Sequence, residues 1–487
     1  MGAIDWIAIA AYAAAVLAIG GWAAKGASSP KQWLLAGREL PTTLVLLSMV
    51  ATELSAATFI GVPHAAYTGD WSYLQLAFGA LAAKLLLAAR VIPAYHRAQV
   101  VTVYGYLEGR FGPATRRAAA LCFVGGRVLA SGARLFIAAL AFSAAIDIGL
   151  PAAVLGCAVA AGVYTRIGGL RAVVWTDALQ ALVFASAAGT ALALLIGSVE
   201  GGLGAALAWA TEHGRTEIFH VEPWIAIRSG LPLGSALISG FFLTLATHAT
   251  DHDMVQRLLG ARDGKRGGRA LWLSALINFP MTLLFLLVGT LLAYHHAIAP
   301  PLYDVSDARQ VFPLFALHEL PSGVRGLMFA GLFAAGMSSL DSAICAITAT
   351  WVSDIAPTEA QAGSPQRIAL WTCAALAAAA LAMGAYQAAL ADRPGALPNL
   401  VEFALSAMSV LYGGLLGVFS VGFLAPGQGT DQSAVTGLAL GAGLGLALFL
   451  QPLVTGEAWI AWGYRIPITA ALTGATVVLA IPRKRAT

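Results

Sequence analysis

Residues 51–58, Ala-Thr-Glu-Leu-Ser-Ala-Ala-Thr, place one carboxylate and three hydroxyl groups in the middle of an apolar run that extends from 43 to 69. A run of this length can cross the roughly 30 Å hydrocarbon core of a bilayer as a helix. A charge at the centre of such a helix costs at least about 2.5–3.5 kcal/mol, so it is usually retained for a pathway or a partner. The stretch therefore predicts a membrane helix whose middle, around Glu53, is functional.

The composition of the whole chain points the same way. Of its 487 residues, 59% are hydrophobic and 11% are charged, whereas a soluble domain has about 25% charged residues. The mean hydropathy is +0.78. The 28 basic and 24 acidic side chains are too few to cover soluble domains of this total length. The composition predicts a polytopic membrane protein and excludes a soluble or nucleic-acid-binding globular protein.

Apolar segments long enough to span a bilayer recur along the chain, and their loops differ in charge. Loops on the side that begins with Lys25 and Arg38 carry 18 basic residues, and the opposite loops carry six. Because Lys and Arg accumulate in cytoplasmic loops, the N-terminus is predicted outside and the C-terminus in the cytoplasm, in a multi-pass protein of the inner (plasma) membrane. The thirteen predicted spans are 3–25, 43–69, 71–93, 116–145, 149–165, 172–197, 231–256, 270–294, 323–352, 368–390, 398–425, 433–451 and 466–482.

Three further spans contain polar residues at membrane depth. Asp177 lies in the sixth, Thr247 to Asp253 in the seventh, and Ser338-Ser339-Leu340-Asp341-Ser342 in the ninth. Small oxygen-bearing side chains at these spacings suit a dehydrated alkali cation, which needs several hard oxygen ligands. A structural interpretation stays open, because Ser and Thr often bond to their own helix or join two helices. Asp177 and Asp251 could likewise cap helices or pair with nearby arginines.

The fourth span carries two arginines, Arg127 and Arg134, seven residues apart and therefore on one helical face. They are either snorkelling or ion-paired cations, or a clamp for an anionic substrate. The histidines show no metal-ligand spacing, and the sequence predicts no catalytic residue.

Polar interruptions recur in a way that predicts an internal duplication. The second and seventh spans are both interrupted, each opens a run of five spans, and the two enter the membrane from opposite sides. An inverted pair of five-helix repeats with broken first helices is the architecture of many secondary transporters. The predicted organisation is an extra helix and cytoplasmic loop (1–42), a first repeat (43–197), an extracellular loop (198–230), a second repeat (231–425), and two C-terminal helices with a basic tail (426–487).

Taken together, five stretches in this order resemble the sodium/solute symporter family, which includes sodium–galactose, sodium–proline and sodium–sialic acid symporters. The resemblance covers nearly the whole chain. The stretches are Trp33-Leu34-Leu35-Ala36-Gly37-Arg38, the segment 53–61 that ends Phe59-Ile60-Gly61, the segment 168–177 that ends Val174-Trp175-Thr176-Asp177, the segment Thr250-Asp251-His252-Asp253-Met254-Val255-Gln256-Arg257, and the segment 334–342 that contains Gly336-Met337-Ser338-Ser339.

The resemblance implies a sodium site between the second and ninth spans. Its ligands would be the backbone carbonyls of Ala51, Leu54 and Ala335 and the hydroxyls of Ser338 and Ser339. Some members hold a second sodium nearby, which here would use Asp177, Asp341, Ser342 and again Ser338. Asp341 replaces a hydroxyl residue of that second site, so one or two sodium ions per cycle both stay open.

The resemblance also places substrate beside the broken second span. The implied contacts depart from the family's sugar-binding pattern at Glu53 and Asp251, so sugar specificity does not transfer. Either arginine of the fourth span could meet a carboxylate, as one does in the sialic acid symporter. The residues expected near substrate are Glu53, Ser55, Thr58, Gln75, Arg127, Arg134 and Asp251.

The leading hypothesis is a sodium-coupled symporter that imports a small polar organic solute by alternating access, with sodium, solute and lipid as its partners. Sugar, sugar acid, amino acid and monocarboxylate all remain candidate solutes. Proton coupling through Glu53, Asp177 or Asp341 in the same fold is the second hypothesis. A membrane-embedded enzyme lacks a nucleophile–base pair or metal ligands in the sequence, and a channel lacks a filter-like carbonyl loop. No protein partner or nucleic acid is predicted.

Overall fold

The fold is built from helices. The structure describes residues 1–25, 30–146, 148–165, 169–228, 232–305, 307–356, 364–391 and 400–480. The structure is a computed structural model. Residue 168 of the sequence motif and the basic tail at 483–485 lie outside the described residues. The α-helices are α1 (Ala3–Ala24), α2 (Pro30–Leu35), α3 (Thr42–Glu53), α4 (Ala56–Thr68), α5 (Gln75–Leu86), α6 (Ile92–Arg97), α7 (Val103–Arg110), α8 (Pro113–Ile146), α9 (Leu150–Thr165), α10 (Gly169–Ser198), α11 (Gly202–Glu212), α12 (Leu233–Ala249), α13 (His252–Leu259), α14 (Gly264–Ile298), α15 (Val311–His318), α16 (Val324–Thr350), α17 (Pro365–Ala391), α18 (Leu400–Leu424), α19 (Asp431–Thr455) and α20 (Trp462–Leu479).

The helices have the length and composition of membrane spans. Within the described ranges, nine are long and apolar enough to cross a bilayer, and the number rises to eleven if each of two bent helix pairs counts as one span. In one of the nine, a π-helical turn (Leu87–Val91) joins α5 to α6. These helices confirm the predicted all-helical polytopic membrane architecture.

The first bent pair is α3 and α4, which meet at an angle of 56°. Leu54 and Ser55, the two residues between them, have extended backbone dihedrals (ψ 94° and 177°). Such dihedrals cannot continue an α-helix, so the chain is unwound just after Glu53. This break lies within the polar stretch that the sequence singles out.

The second bent pair is α12 and α13, which meet at 62°. Asp251 between them is extended (ψ 113°), and its side chain accepts a hydrogen bond at 2.9 Å from the backbone N–H of Asp253. A short acidic side chain in this position is a favoured N-cap. Asp251 therefore starts α13 as a separate helix and stabilises the break.

Glycines bring the broken helices close to their neighbours. A Cβ built on Gly240 of α12 would overlap the backbone carbonyl of Leu76 on α5, and one built on Gly289 of α14 would overlap that of Pro63 on α4. Small residues at membrane-helix interfaces allow such backbone contact. These contacts hold α5 against α12 and α14 against α4.

The first helix, α1, packs on α10 and α16 outside the broken helices. Its buried Asp5 accepts hydrogen bonds from the backbone N–H groups of Gly323 (2.8 Å) and Gly326 (3.1 Å) at the start of α16. A carboxylate is stabilised at a helix N-terminus, where free N–H groups and the helix dipole meet it. Asp5 thus fastens α1 to α16.

Candidate functional site

The break between α3 and α4 leaves backbone carbonyls without the hydrogen bonds of a continuous helix. The N–H of Leu54 donates to the carbonyl of Val50 at 3.0 Å, which is the last bond of α3. The N–H of Phe59 donates to the carbonyl of Ser55 at 3.0 Å, where α4 begins. Among the described residues, no backbone N–H meets the carbonyls of Ala51 or Leu54. Both residues are about 5% exposed. Buried carbonyls without a backbone donor are suitable ligands for a bound cation.

The ninth predicted span is α16, and it packs against both halves of the broken helix. Ser338 and Ser339 are fully buried on it. Ser338 donates at 2.8 Å to Oδ1 of Asp177, whereas Ser339 donates at 3.5 Å to the carbonyl of Ala335 in its own helix. The two serines therefore face different partners, and neither faces lipid.

Asp177 of α10 joins these two elements. Its Oδ2 accepts a hydrogen bond from Ser48 of α3 at 2.5 Å, and its Oδ1 accepts the one from Ser338 of α16. Arg257 of α13 also reaches Oδ2, with Nη2 at 3.2 Å. A single buried carboxylate thus ties α3, α13 and α16 together around α10.

Asp341 and Ser342 lie one helical turn beyond Ser338 on α16, and both are buried. Oδ1 of Asp341 accepts a hydrogen bond from the backbone N–H of Ser342 at 2.6 Å, and the Ser342 hydroxyl donates to the carbonyl of Ser338 at 2.5 Å. Ser338, Asp341 and Ser342 share one face, which is the face that Asp177 approaches.

Arg127 of α8 is fully buried and ion-paired at the second break. Its Nη1 lies 3.1 Å from Oδ2 of Asp251, and its Nη2 pairs with Asp253. Tyr412 donates to the same Asp251 oxygen at 2.6 Å, and Asp253 also pairs with Arg257 at 2.7 Å. A chain of alternating charges therefore connects the second break to Asp177, and Arg127 is held by protein carboxylates.

Glu53 lies at the end of α3 in a separate polar cluster. Nζ of Lys84, on α5, is 2.5 Å from its Oε2, and Nε2 of His248, on α12, is 3.2 Å from its Oε1. On α14, Ser274 donates to Oε1 at 2.9 Å and Asn278 donates to Oε2. Three helices thus converge on the carboxylate that follows the unwound segment.

Four members of this cluster, which are Glu53, Lys84, His248 and Asn278, line a cavity of about 160 Å³. Its remaining wall is mainly apolar and comes from the turn Ser72–Leu74 and from α5, α12, α14 and α18. The lining residues besides the cluster include Tyr73, Leu76, Ala77, Ala80, Leu243, Phe279 and Leu405. A concave, largely apolar pocket with a few convergent polar groups is the usual form of a small-molecule site.

The other residues expected near substrate are not among the lining residues of this cavity. Ser55 is buried in the first break, and Thr58 is half-buried in the first turn of α4. Gln75 is buried and donates to the carbonyl of Ser72 at 3.2 Å. Arg134 is 7% exposed and lies 3.6 Å from the sulfur of Met408. Within the described structure, Nη1 of Arg134 has no hydrogen-bond partner.

Sequence reasoning missed several members of these clusters. Lys84 was visible as a charge inside an apolar span, and such a residue is by default a functional candidate with a partner to be found. Ser48, Ser274, Asn278 and Tyr412 gave no such signal, because single hydroxyls and amides are common in membrane helices.

A multi-pass protein with two membrane helices broken at buried polar groups has the organisation of a secondary transporter. Residues 33–425 match the model of the Sodium:solute symporter family. The chain belongs to this family, and it is a sodium-coupled importer of a small solute in the plasma membrane.

Relatives and solved structures agree with this assignment. The sodium/sialic acid symporter NanT of Aliivibrio fischeri is 28% identical over 355 residues, which cover 73% of this chain and 70% of that protein. The human sodium/iodide cotransporter is 27% identical over 451 residues, which cover 91% of this chain and 67% of that protein. A solved structure of a Na⁺-coupled sialic acid symporter, substrate-bound and outward-open, has a TM-score of 0.85 at 22% identity and covers 98% of this chain and 97% of that one. The last comparison shows the fold.

Proposed function

We propose that this symporter couples one solute to sodium bound between the first helix break and α16. The observation that carries the proposal is that the carbonyls of the buried residues Ala51 and Leu54 meet no backbone N–H within the described structure, on a helix that packs against α16. The carbonyl of Ala335 and the hydroxyls of Ser338 and Ser339 complete a set of five oxygen ligands. Hard oxygen ligands without nitrogen or sulfur suit an alkali cation.

A second sodium would bind between Asp177, Asp341 and Ser342, with Ser338 shared. Arg257 already compensates part of the charge of Asp177. The carboxylate of Asp341 adds a second negative charge beside Asp177 for this cation. Asp341 is buried on the same face of α16 as Ser338 and Ser342.

The transport core consists of two inverted repeats. The first comprises α3–α4, α5–α6, α8, α9 and α10, and the second comprises α12–α13, α14, α16, α17 and α18. Packing supports this division, because the second helix of each repeat contacts the broken first helix of the other: α5 lies on α12, and α14 lies on α4. With α1 before the core and α19 and α20 after it, thirteen spans place the N-terminus outside and the C-terminus in the cytoplasm.

The solute binds in the cavity beside Glu53. Gln75 lies on α5, which borders the cavity, and Ser55 and Thr58 follow Glu53 in the first broken helix. Rearrangement of α4 or α5 during the cycle would bring them to the solute. Arg127 and Asp251 pair with each other, so we assign them to the second break, where they position α13. Arg134 does not line the cavity, so its contact with solute would require a rearrangement of α8; its Nη1 has no hydrogen-bond partner within the described structure.

A second cavity of about 210 Å³ adjoins the first on the proposed extracellular side. It is lined by residues at the end of α4 and the start of α18, including Asp70 and Glu402. Both cavities are lined by Tyr73 and Leu405. These two side chains therefore separate the solute cavity from the outer one, and their displacement would open an entry route.

Coupling follows from the location of the sodium ligands. Without sodium, the carbonyls of the unwound segment repel one another, which disfavours the arrangement of α3 and α4 that places Glu53 in the cavity. Sodium removes this penalty and thereby favours solute binding, and solute must tighten sodium binding by the same factor. One elementary charge that crosses 100 mV contributes about 2.3 kcal/mol to uptake.

The protein acts as a transporter and not as an enzyme, and the family's transport activity supports this. The test is solute uptake into proteoliposomes with an inward gradient of sodium, potassium or choline, and separately with a pH gradient. Uptake that requires the sodium gradient supports the proposal. Uptake that persists without sodium and follows the pH gradient would transfer the coupling role to a proton.

A further inference from the structure

The cavity beside Glu53 is lined by three side chains that can carry a charge near neutral pH, which are Glu53, Lys84 and His248. Among the described residues that line it, Lys84 and Glu53 are ion-paired at 2.5 Å, and the side chain of Lys84 is only 3% exposed. Ser274 accepts a hydrogen bond from Lys84 at 2.8 Å and donates one to Glu53 at 2.9 Å. With His248 counted as neutral, the fixed charges sum to zero, so a solute with a net charge would meet no unpaired charge among the described lining residues.

Neither arginine of α8 adds a positive charge to the lining of this cavity. Arg127 is held by Asp251 and Asp253, and neither Arg127 nor Arg134 lines the cavity. A buried charge without a partner is strongly destabilising. A lone carboxylate would have to separate Lys84 from Glu53 and leave Glu53 without its cation, so a monocarboxylate or sugar acid does not match this cavity.

The charged groups of the cavity lie at one end of it, and the rest of the wall is mainly apolar, with the hydroxyls of Tyr73, Thr244 and Thr282 as its polar groups. The polar cluster gathers around Glu53 and Lys84, whereas Leu76 lies eight residues before Lys84 on α5, about 12 Å along the helix axis. Leu243, Phe279 and Leu405 add to the apolar wall. A sugar presents hydroxyls all round and would leave several of them facing this wall without hydrogen-bond partners, which is costly.

We propose that the solute is a small zwitterion with an apolar side chain, of the neutral amino-acid type. Its carboxylate accepts hydrogen bonds from Lys84 and Asn278, its ammonium donates to Glu53, and its side chain contacts Phe279 and Leu405. When the solute separates Lys84 from Glu53, its carboxylate becomes the partner of Lys84 and its ammonium becomes the partner of Glu53. The net charge of the cavity therefore does not change. The volume of about 160 Å³, comparable to about five water molecules, suits a solute of this size. The inference rests on the proposed solute cavity and names the class of its substrate.

The test is competition and uptake in proteoliposomes with an inward sodium gradient. The panel contains L-valine, L-leucine and L-proline, with isobutylamine and isovalerate as the valine analogues that lack one charged group, and glucose and N-acetylneuraminate as other classes. We expect sodium-driven uptake of at least one amino acid, with the two analogues at least tenfold weaker as competitors. Sodium-driven uptake of isovalerate, glucose or N-acetylneuraminate but of no amino acid would overturn the substrate class. Uptake of any panel member that ignores sodium would instead overturn the proposed coupling.

Variants test the two charged groups. Lys84→Met and Glu53→Gln should each lower amino-acid uptake at least tenfold, and the control Lys265→Met, which removes an exposed lysine, should leave it unchanged. The double variant Lys84→Met/Glu53→Gln has a neutral cavity and should purify as folded protein. Valine should raise the Tm of the wild type and of Lys265→Met but not that of the double variant. An equal shift in the double variant would overturn the assignment.

Discussion

Nη2 of Arg257 lies 3.2 Å from Oδ2 of Asp177, and both side chains are buried. The pair connects the second broken helix to α10, directly beside the serine that donates to the other oxygen of Asp177. A permanently charged guanidinium thus shares the carboxylate that a second sodium would use. The two helix breaks are linked through this carboxylate.

The Arg257–Asp177 pair is expected to stabilise the fold. Arg257→Gln leaves Asp177 without its cation, and removal of one partner of a buried pair costs about 3–5 kcal/mol. Asp177→Asn in the Arg257→Gln background should recover part of this loss. Thermal unfolding of the purified variants measures both effects, with the exposed Arg269→Gln as the matched control. Equal Tm values for the single and double variants would show that the two residues are not coupled.

Asp341 is expected to determine the number of sodium ions. Asp341→Asn keeps an oxygen ligand but removes the buried charge that would compensate a second cation. The dependence of uptake on sodium concentration should have a Hill slope above one in the wild type and of one in Asp341→Asn. The exposed Asp263→Asn should behave like the wild type. A slope of one in all three proteins would indicate a single sodium.

Gly240 is expected to tolerate no side chain. Gly240→Ala forces a Cβ into the backbone of Leu76, and such overpacking costs about 1–3 kcal/mol. Gly189→Ala is the matched control, because a Cβ at that helical position meets no atom within 4 Å. The Tm of Gly240→Ala should fall while that of Gly189→Ala does not. The same Tm for both variants would contradict the close contact of α5 and α12.

Asp5 is expected to hold α1 on α16. Asp5→Ala leaves the N–H groups of Gly323 and Gly326 without their acceptor, and unsatisfied buried donors cost about 1–3 kcal/mol. Limited proteolysis and thermal unfolding should both show a loosened N-terminus, whereas the exposed Asp304→Ala should not. Unchanged protease resistance in Asp5→Ala would remove Asp5 from this role.

The sequence predicts the helix breaks and part of the site because both leave a local signal. Polar residues such as Glu53 and Asp251 stand out in apolar spans, and the structure has a break immediately after or at each of them. Partners were not predictable in this way. Lys84 is 31 residues from Glu53 and Arg257 is 80 residues from Asp177, so their pairing depends on helix packing that no local pattern encodes.

The roles of the two arginines of α8 could not be predicted from the sequence either. Spacing places Arg127 and Arg134 on one face of α8 but does not distinguish a substrate clamp from an ion pair. The acidic groups that meet Arg127 belong to the second break, 124 residues away for Asp251. Only the tertiary fold separates Arg127, which is ion-paired, from Arg134, which contacts a methionine sulfur.

The most direct test of sodium binding at the first break is the sodium activation of uptake in Ser338→Ala and Ser339→Ala. Ser198→Ala is the control, because Ser198 is exposed and donates to its own helix. We expect the two α16 variants to insert normally and to need at least tenfold more sodium for half-maximal uptake, while Ser198→Ala matches the wild type. Unchanged sodium activation in both α16 variants would contradict the proposed sodium site.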